Sequence, residues 1–205
     1  MTSAELTALL VLATASSFTP GPNNTLSAAL AANLGLRAAL RFICAVPVGW
    51  GLLLALCAAG VGALVLAVPL LRWGILATGV VYLLWLAWRL AGSRQLSQVN
   101  ADRLQVGFAQ GVGLQFVNIK AWMLALSLVA GWISGHPDAW QRFWFLLPVM
   151  LAFAFFSNLS YALMGSLLRD WLAGPQGTGQ RLAWFNRGMA MALVATAAWM
   201  VWSAL

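Results

Sequence analysis

The sequence predicts an all-α membrane protein, a single transmembrane domain over residues 1–205 with six transmembrane helices in two inverted three-helix halves, about 1–92 and 104–205. Three observations predict it. Only 7% of the residues are charged while 62% are hydrophobic, and a soluble domain carries about 25% charged residues to wet its surface. The charges that exist are separated by long apolar runs, and the basic ones alternate from loop to loop.

The charge-free runs are 6–36, 42–71, 73–88, 104–119, 121–135, 143–168 and 188–205. A helix needs about 20 apolar residues to cross the hydrocarbon core. Lys120 alone divides the fourth run from the fifth, so the two read as one helix with an embedded charge. The spans then fall at roughly 6–28, 42–66, 70–91, 108–133, 143–168 and 184–204, and the loops leave no room for a soluble domain. Trp73, Trp88, Trp132, Trp144, Trp184, Trp199 and Trp202 fall near the expected span ends, where amphipathic indole rings favour the interface.

A formal net charge of +7 raises nucleic acid as a partner, but the distribution reads as membrane topology instead. The loops after the first, third and fifth spans hold Arg37, Arg41, Arg89, Arg94, Arg103, Arg169, Arg181 and Arg187, whereas the opposite side has Arg72 and Arg142. Basic loops stay in the cytoplasm. Both termini are therefore expected outside the cytoplasm, with lipid, not nucleic acid, around the chain. The sequence leaves open whether it is a monomer or a homo-oligomer.

Cys44 and Cys57 lie on one expected helix, roughly 20 Å apart by helical rise, too far for a disulfide. The start of the chain resembles a signal peptide, with apolar 6–13 followed by Ala13-Thr14-Ala15. No Lys or Arg precedes Arg37, however, and a signal peptide needs a basic leading segment. The segment therefore reads as a retained first helix.

Two spans are interrupted by polar or helix-breaking residues well inside the membrane. The first contains Phe18-Thr19-Pro20-Gly21-Pro22-Asn23-Asn24, and its counterpart in the second half contains Gln115-Phe116-Val117-Asn118-Ile119-Lys120. Matched interruptions in two halves point to a transporter binding site near the midplane. Pro20 and Pro22 lack the amides that would have bonded the carbonyls of Ser16 and Phe18. Freed carbonyls at that depth need protein or a watery cavity. A helix restarting at Pro22 would expose amides near Asn23 and Asn24 that suit an anion. Such a break offers carbonyls to an ammonium group and amides to a carboxylate, and a zwitterionic amino acid has both. A kink made for packing, healed by Ser16, Ser17 and Thr19, is the simpler alternative. Two prolines, a glycine and two asparagines within five residues favour the binding site.

Lys120 costs about 2.5–3.5 kcal/mol at a helix centre on insertion scales. The four acids, Glu5, Asp102, Asp138 and Asp170, all lie at span ends or in loops, so a substrate carboxylate is the simplest partner for it. With no carboxylate or histidine at membrane depth, Lys120 is also the candidate for proton coupling. Gln115 and Asn118 share a helix face, but Lys120 lies about 200° from Asn118 on an ideal helix. Both reach one cavity only if the helix unwinds there. Asn158 and Tyr161 share a face on the fifth span, where substrate contact and interhelical hydrogen bonding compete as explanations. Ser157 and Tyr82 are further polar groups at depth. Gly107 and Gly111 have the spacing of a close helix contact.

Thr19-Pro20-Gly21-Pro22-Asn23-Asn24, in its place in the first span, resembles the LysE/RhtB family of amino-acid exporters. Leu114-Gln115-Phe116-Val117-Asn118-Ile119-Lys120 and Trp85-Leu86-Ala87-Trp88-Arg89 are most similar to the branch that exports cysteine and O-acetylserine. The resemblance covers essentially the whole chain. Many members have a proline where this chain has Ile119. The resemblance implies a bacterial inner-membrane protein, its outer termini then periplasmic, that exports small amino acids from the cytoplasm by a proton-coupled antiport, without a cofactor. The expected substrate-binding residues are Pro20, Gly21, Pro22, Asn23, Asn24, Gln115, Asn118, Lys120, Asn158 and Tyr161.

Other classes fit less well. A relative that moves homoserine, threonine or another neutral amino acid is the main rival. Exporters of metal or other cations want Asp, Glu or His ligands at membrane depth, and the sequence has none there. The single histidine, His136, is expected in an outer loop beside Pro137, so no Ser/His dyad or metal centre forms within the membrane.

Overall fold

The structure is a computed structural model that describes residues 1–92, 106–174 and 179–203. The expected midpoint loop at 93–106 therefore lies outside the described residues except for Val106. Every regular element among the described residues is helical. In chain order these are α1 (Ser3–Phe18), α2 (Pro22–Leu34), α3 (Leu36–Ala58), α4 (Val61–Ala67) and α5 (Pro69–Ala91). There follow α6 (Phe108–Val117), α7 (Ile119–Leu128) with a π-helical turn at Val129–Ile133, α8 (Ala139–Leu167), α9 (Arg169–Ala173) and α10 (Gln180–Trp202).

Three of these helices, α3, α5 and α8, are long and apolar enough to cross a membrane. A fourth span results if α6 and α7 with its π-helical turn, bent by 68° at their junction, are one interrupted span. Helix α1 is a shorter apolar helix of 16 residues. Large apolar side chains cover the outside of the bundle, among them Trp88, Trp184 and Trp202 near helix ends. That is the surface of a chain solvated by lipid.

The second span differs from the expected 42–66. It begins at Leu36 and stops at Ala58, and α4 is a separate short helix. Gly60, at φ 96°, is the reason. Its left-handed conformation suits glycine and breaks the helical path, a turn that uninterrupted hydropathy does not register.

Among the described residues the interior holds two large packed clusters and a small third one of Ala32, Leu172 and Leu182. One joins α2, α3, α5, α6, α8 and α10 through residues such as Leu30, Phe42, Leu83, Leu114 and Met200. The other joins α1, α3, α7 and α8 through Leu9, Leu53, Trp122, Leu146 and Met150. Helix α1 contributes little to either, with only Leu9 and Ala13 buried. Its N-terminal end is held to α8 by Arg142, which bonds Glu5 at 3.2 Å and Asp138 at 2.8 Å, and to the π-helical turn after α7 by Trp132 Nε1 donating to the Glu5 carbonyl. These contacts place the start of α1, the end of α7 and the start of α8 at one end of the bundle. Gly111 packs where α6 meets α3, and an added Cβ there would lie 2.8 Å from that of Ala45. Gly107 precedes α6 as its N-cap.

Candidate functional site

Both interrupted spans are broken helices. Helix α1 ends at Phe18, Thr19 and Gly21 are extended, and α2 starts with Pro22 in its first turn. The fixed φ of proline and its missing N–H suit that position. The carbonyls left by α1 are taken up in turn. Asn24 Nδ2 donates to Ser17 O at 2.7 Å and to Thr19 O at 3.2 Å. Tyr161 Oη donates to Phe18 O at 2.9 Å, the carbonyl that Pro22 cannot serve. Lys120 Nζ donates to Thr19 O at 3.0 Å. A cation at the C-terminal end of α1 also meets the negative pole of that helix.

The second break needs no proline. Asn118 adopts an extended conformation (φ −94°, ψ 100°), ends α6 and caps α7, its side chain accepting from the Lys120 amide at 3.1 Å. Trp122, one turn into α7, sends its Nε1–H back to Phe116 O at 2.8 Å. The bend presses Val117 O against α5 at Gly79, where an added Cβ would lie 2.0 Å from that oxygen. The unwinding that lets Asn118 and Lys120 share a cavity is thus present. An N-cap, an indole donor and a glycine make this break without a proline.

The restarted helices α2 and α7 bring their N-termini to one cavity of about 60 Å³, lying between the two large packed clusters. That is several times the roughly 10–15 Å³ a single water requires on a comparable measure. Gly21, Pro22, Asn23 and Asn24 line it from the first break, and Asn118, Lys120 and Ala121 from the second. Asn158 and Ser157 line it from α8, and Ser16 and Ser17 from the end of α1. The partial positive charge of two helix N-termini and the Lys120 ammonium converge there. Ser16, whose carbonyl lost its helical donor to Pro20, lines the same cavity.

Seven of the ten residues expected at the site line this cavity. Pro20, Gln115 and Tyr161 do not. Pro20 is exposed in the break. Gln115 is fully buried and forms a reciprocal amide pair with Asn23, 2.9 and 3.1 Å, tying α6 to α2. Tyr161 holds the α1 carbonyl described above. Asn158 lines the cavity, but its Oδ1 accepts from Ser27 Oγ and its Nδ2 donates to the Ala154 carbonyl, each at 2.8 Å. Sequence reasoning passed over the apolar lining of Val46, Trp50, Leu124, Met150 and Ala154. No polar or helix-breaking signal marks these residues.

Residues 14–203 match the family model described as LysE type translocator. The chain belongs to that family. A cysteine/O-acetylserine efflux protein of Salmonella choleraesuis is 31% identical over 175 residues, covering 82% of this chain and 86% of the relative. Proteins of the same description from Klebsiella pneumoniae and Escherichia coli are each 30% identical with the same coverage. No solved structure matches the chain. Family, relatives and apolar helices together identify a multi-pass membrane protein of a transporter family, with amino-acid efflux proteins among its relatives.

Proposed function

We propose that the protein exports small neutral amino acids or their derivatives, of the cysteine and O-acetylserine kind, from the cytoplasm across the inner membrane. The observation that carries this reading is the convergence of two helix N-termini and one lysine on a single small cavity. A substrate carboxylate sits against Lys120 and the amides of α2 and α7. Its ammonium group faces the Ser16 carbonyl and the side-chain oxygens of the asparagines. The relatives named for cysteine and O-acetylserine efflux support the substrate class.

In the same reading the chain has six spans in two inverted halves, α1 to α5 and α6 to α10, with both termini periplasmic. The eight-to-two arginine asymmetry supports that orientation. Impermeant thiol labelling of Ser3→Cys from outside whole cells, with no labelling of Ser97→Cys, is the expected result. The reverse pattern inverts the topology.

Export is coupled to protons through Lys120. A bound carboxylate stabilises its ammonium form, and departure of the substrate withdraws that support. Lys120→Arg, which cannot deprotonate, is expected to lose export or its pH dependence. Full activity with an unchanged pH profile refutes a proton-carrying lysine.

The substrate is tested by counterflow in proteoliposomes with cysteine, O-acetylserine, threonine and homoserine. Saturable exchange of the first two is expected. Exchange confined to threonine and homoserine reassigns the substrate within the family, and exchange of none refutes the reading.

A further inference from the structure

The cavity has two chemically different ends. Along α7, Lys120 lines it at the break and Leu124 lines it one turn later, about 6 Å further along the helix axis. Along α8, Asn158 and Ser157 stand near the break, while Met150 lies two turns earlier, about 12 Å away by helical rise. Helices α7 and α8 run in opposite senses here, so both displacements point to the same end of the bundle, the end where Arg142 holds Glu5. On α3, Val46 and Trp50 are one turn apart on one face and both line the cavity. Met150 is 1% exposed and Trp50 5%, so this apolar wall is built of fixed interior side chains. None of the residues lining that end is charged.

Resting on the reading of the site as an amino-acid site, we propose that Val46, Trp50, Leu124 and Met150 enclose the substrate side chain, and that Met150 sets the longest side chain accepted. The zwitterionic head is held at the breaks, and the side chain extends towards the Arg142 end. A cationic or anionic side chain is rejected because its charge would be buried without a partner. Short uncharged side chains fit, and long ones meet the Met150 thioether. Met150 does not touch the reacting head group, so shortening it changes which substrates are used more than how the head is bound.

The test is counterflow by purified protein in proteoliposomes with cysteine, O-acetylserine, phenylalanine and lysine. Met150→Ala is expected to raise the rate for phenylalanine relative to O-acetylserine by about tenfold or more, the discrimination that one or two methylenes carry in an apolar pocket. Lysine is expected to stay excluded. Leu124→Ala, on the facing wall, is expected to shift the ratio in the same direction, and it serves where Met150→Ala does not fold. Met150→Phe should exclude O-acetylserine while cysteine still exchanges. An unchanged phenylalanine-to-O-acetylserine ratio in both alanine variants overturns the proposal even if the wild type transports. A wild-type protein that exchanges no neutral amino acid sinks the underlying reading and this one with it.

Discussion

Between α1 and α2 three residues, Thr19, Pro20 and Gly21, separate the half-helices, whereas a single residue, Asn118, separates α6 from α7. Both breaks free carbonyls at membrane depth, and both satisfy at least one with a side chain from the first turns of the restarted helix. Asn24 serves Ser17 and Thr19 in the first break, and Trp122 serves Phe116 in the second. They differ in what forces the break. Proline chemistry interrupts the first helix locally. The second, capped locally by Asn118, also depends on tertiary structure, because Val117 O is accommodated where Gly79 has no side chain. A covalent interruption survives changes in its neighbours, and a tertiary one does not.

The largest effect that follows is at Gly79. Gly79→Val places a Cβ against a backbone oxygen that cannot rotate away, beside Met200. Overpacking a core commonly costs about 1–3 kcal/mol, and contact with main chain belongs at the upper end or beyond. Little folded protein should be recovered from membranes, measured as the monodisperse fraction in size exclusion. Gly21→Ala is the matched control at the first break. An added Cβ there meets the flexible end of Lys120 at 3.2 Å, and the extended φ of −166° suits any residue. It should fold normally. Equal damage from both substitutions would erase the distinction between the breaks.

Next is replacement of Pro20, Gly21 and Pro22 together by alanine. The missing backbone bonds are restored and helix propensity rises, so the protein should insert and be no less stable while transport is lost. A variant that exports normally reduces the first break to a packing kink. A smaller effect is expected for Trp122→Phe, which keeps an aromatic ring but leaves the Phe116 carbonyl without its donor. That costs about 1–3 kcal/mol, visible as a lower thermal midpoint in detergent. An unchanged midpoint means that the indole bond does not hold the second break.

The smallest effect concerns the ion pairs at the Arg142 end. The hydrogen bond from Arg142 holds the Asp138 carboxyl below its usual range. The Thr2 amide, and after it Arg142, does the same for Glu5. Groups lowered in the folded state stabilise it above their unfolded pKa and lose that contribution as pH falls through the folded value. The thermal midpoint should therefore decline slightly below about pH 4. Arg142→Met should flatten that part of the decline, and an identical slope in the variant would show that the ion pairs contribute nothing to it.

The legibility of the chain in its sequence follows the same division. Pro20 and Pro22 announce the first break, and the cost of Lys120 in lipid points to the second. The helical architecture was readable because apolar runs have few alternatives in a membrane. Gly60 ended a helix within an unbroken apolar run, a conformational event that hydropathy does not encode. Gly79 acts on a carbonyl 38 positions away in the chain, and Trp122 reads as an ordinary membrane tryptophan until its indole nitrogen has a partner. Val46, Trp50, Leu124 and Met150 are core-like in every local respect. Their place on a cavity wall is a property of three helices meeting, so no pattern within one helix reveals it.

The central claim is that the two breaks make one amino-acid site with Lys120 as its charge. Counterflow of O-acetylserine in proteoliposomes, comparing wild type with Lys120→Met, tests it most directly. The substitution keeps the side-chain length and removes the ammonium, so the variant should insert and elute as the wild type does. The account predicts saturable exchange by the wild type and none above empty liposomes for the variant. Exchange by Lys120→Met at the wild-type rate and half-saturating concentration would contradict it.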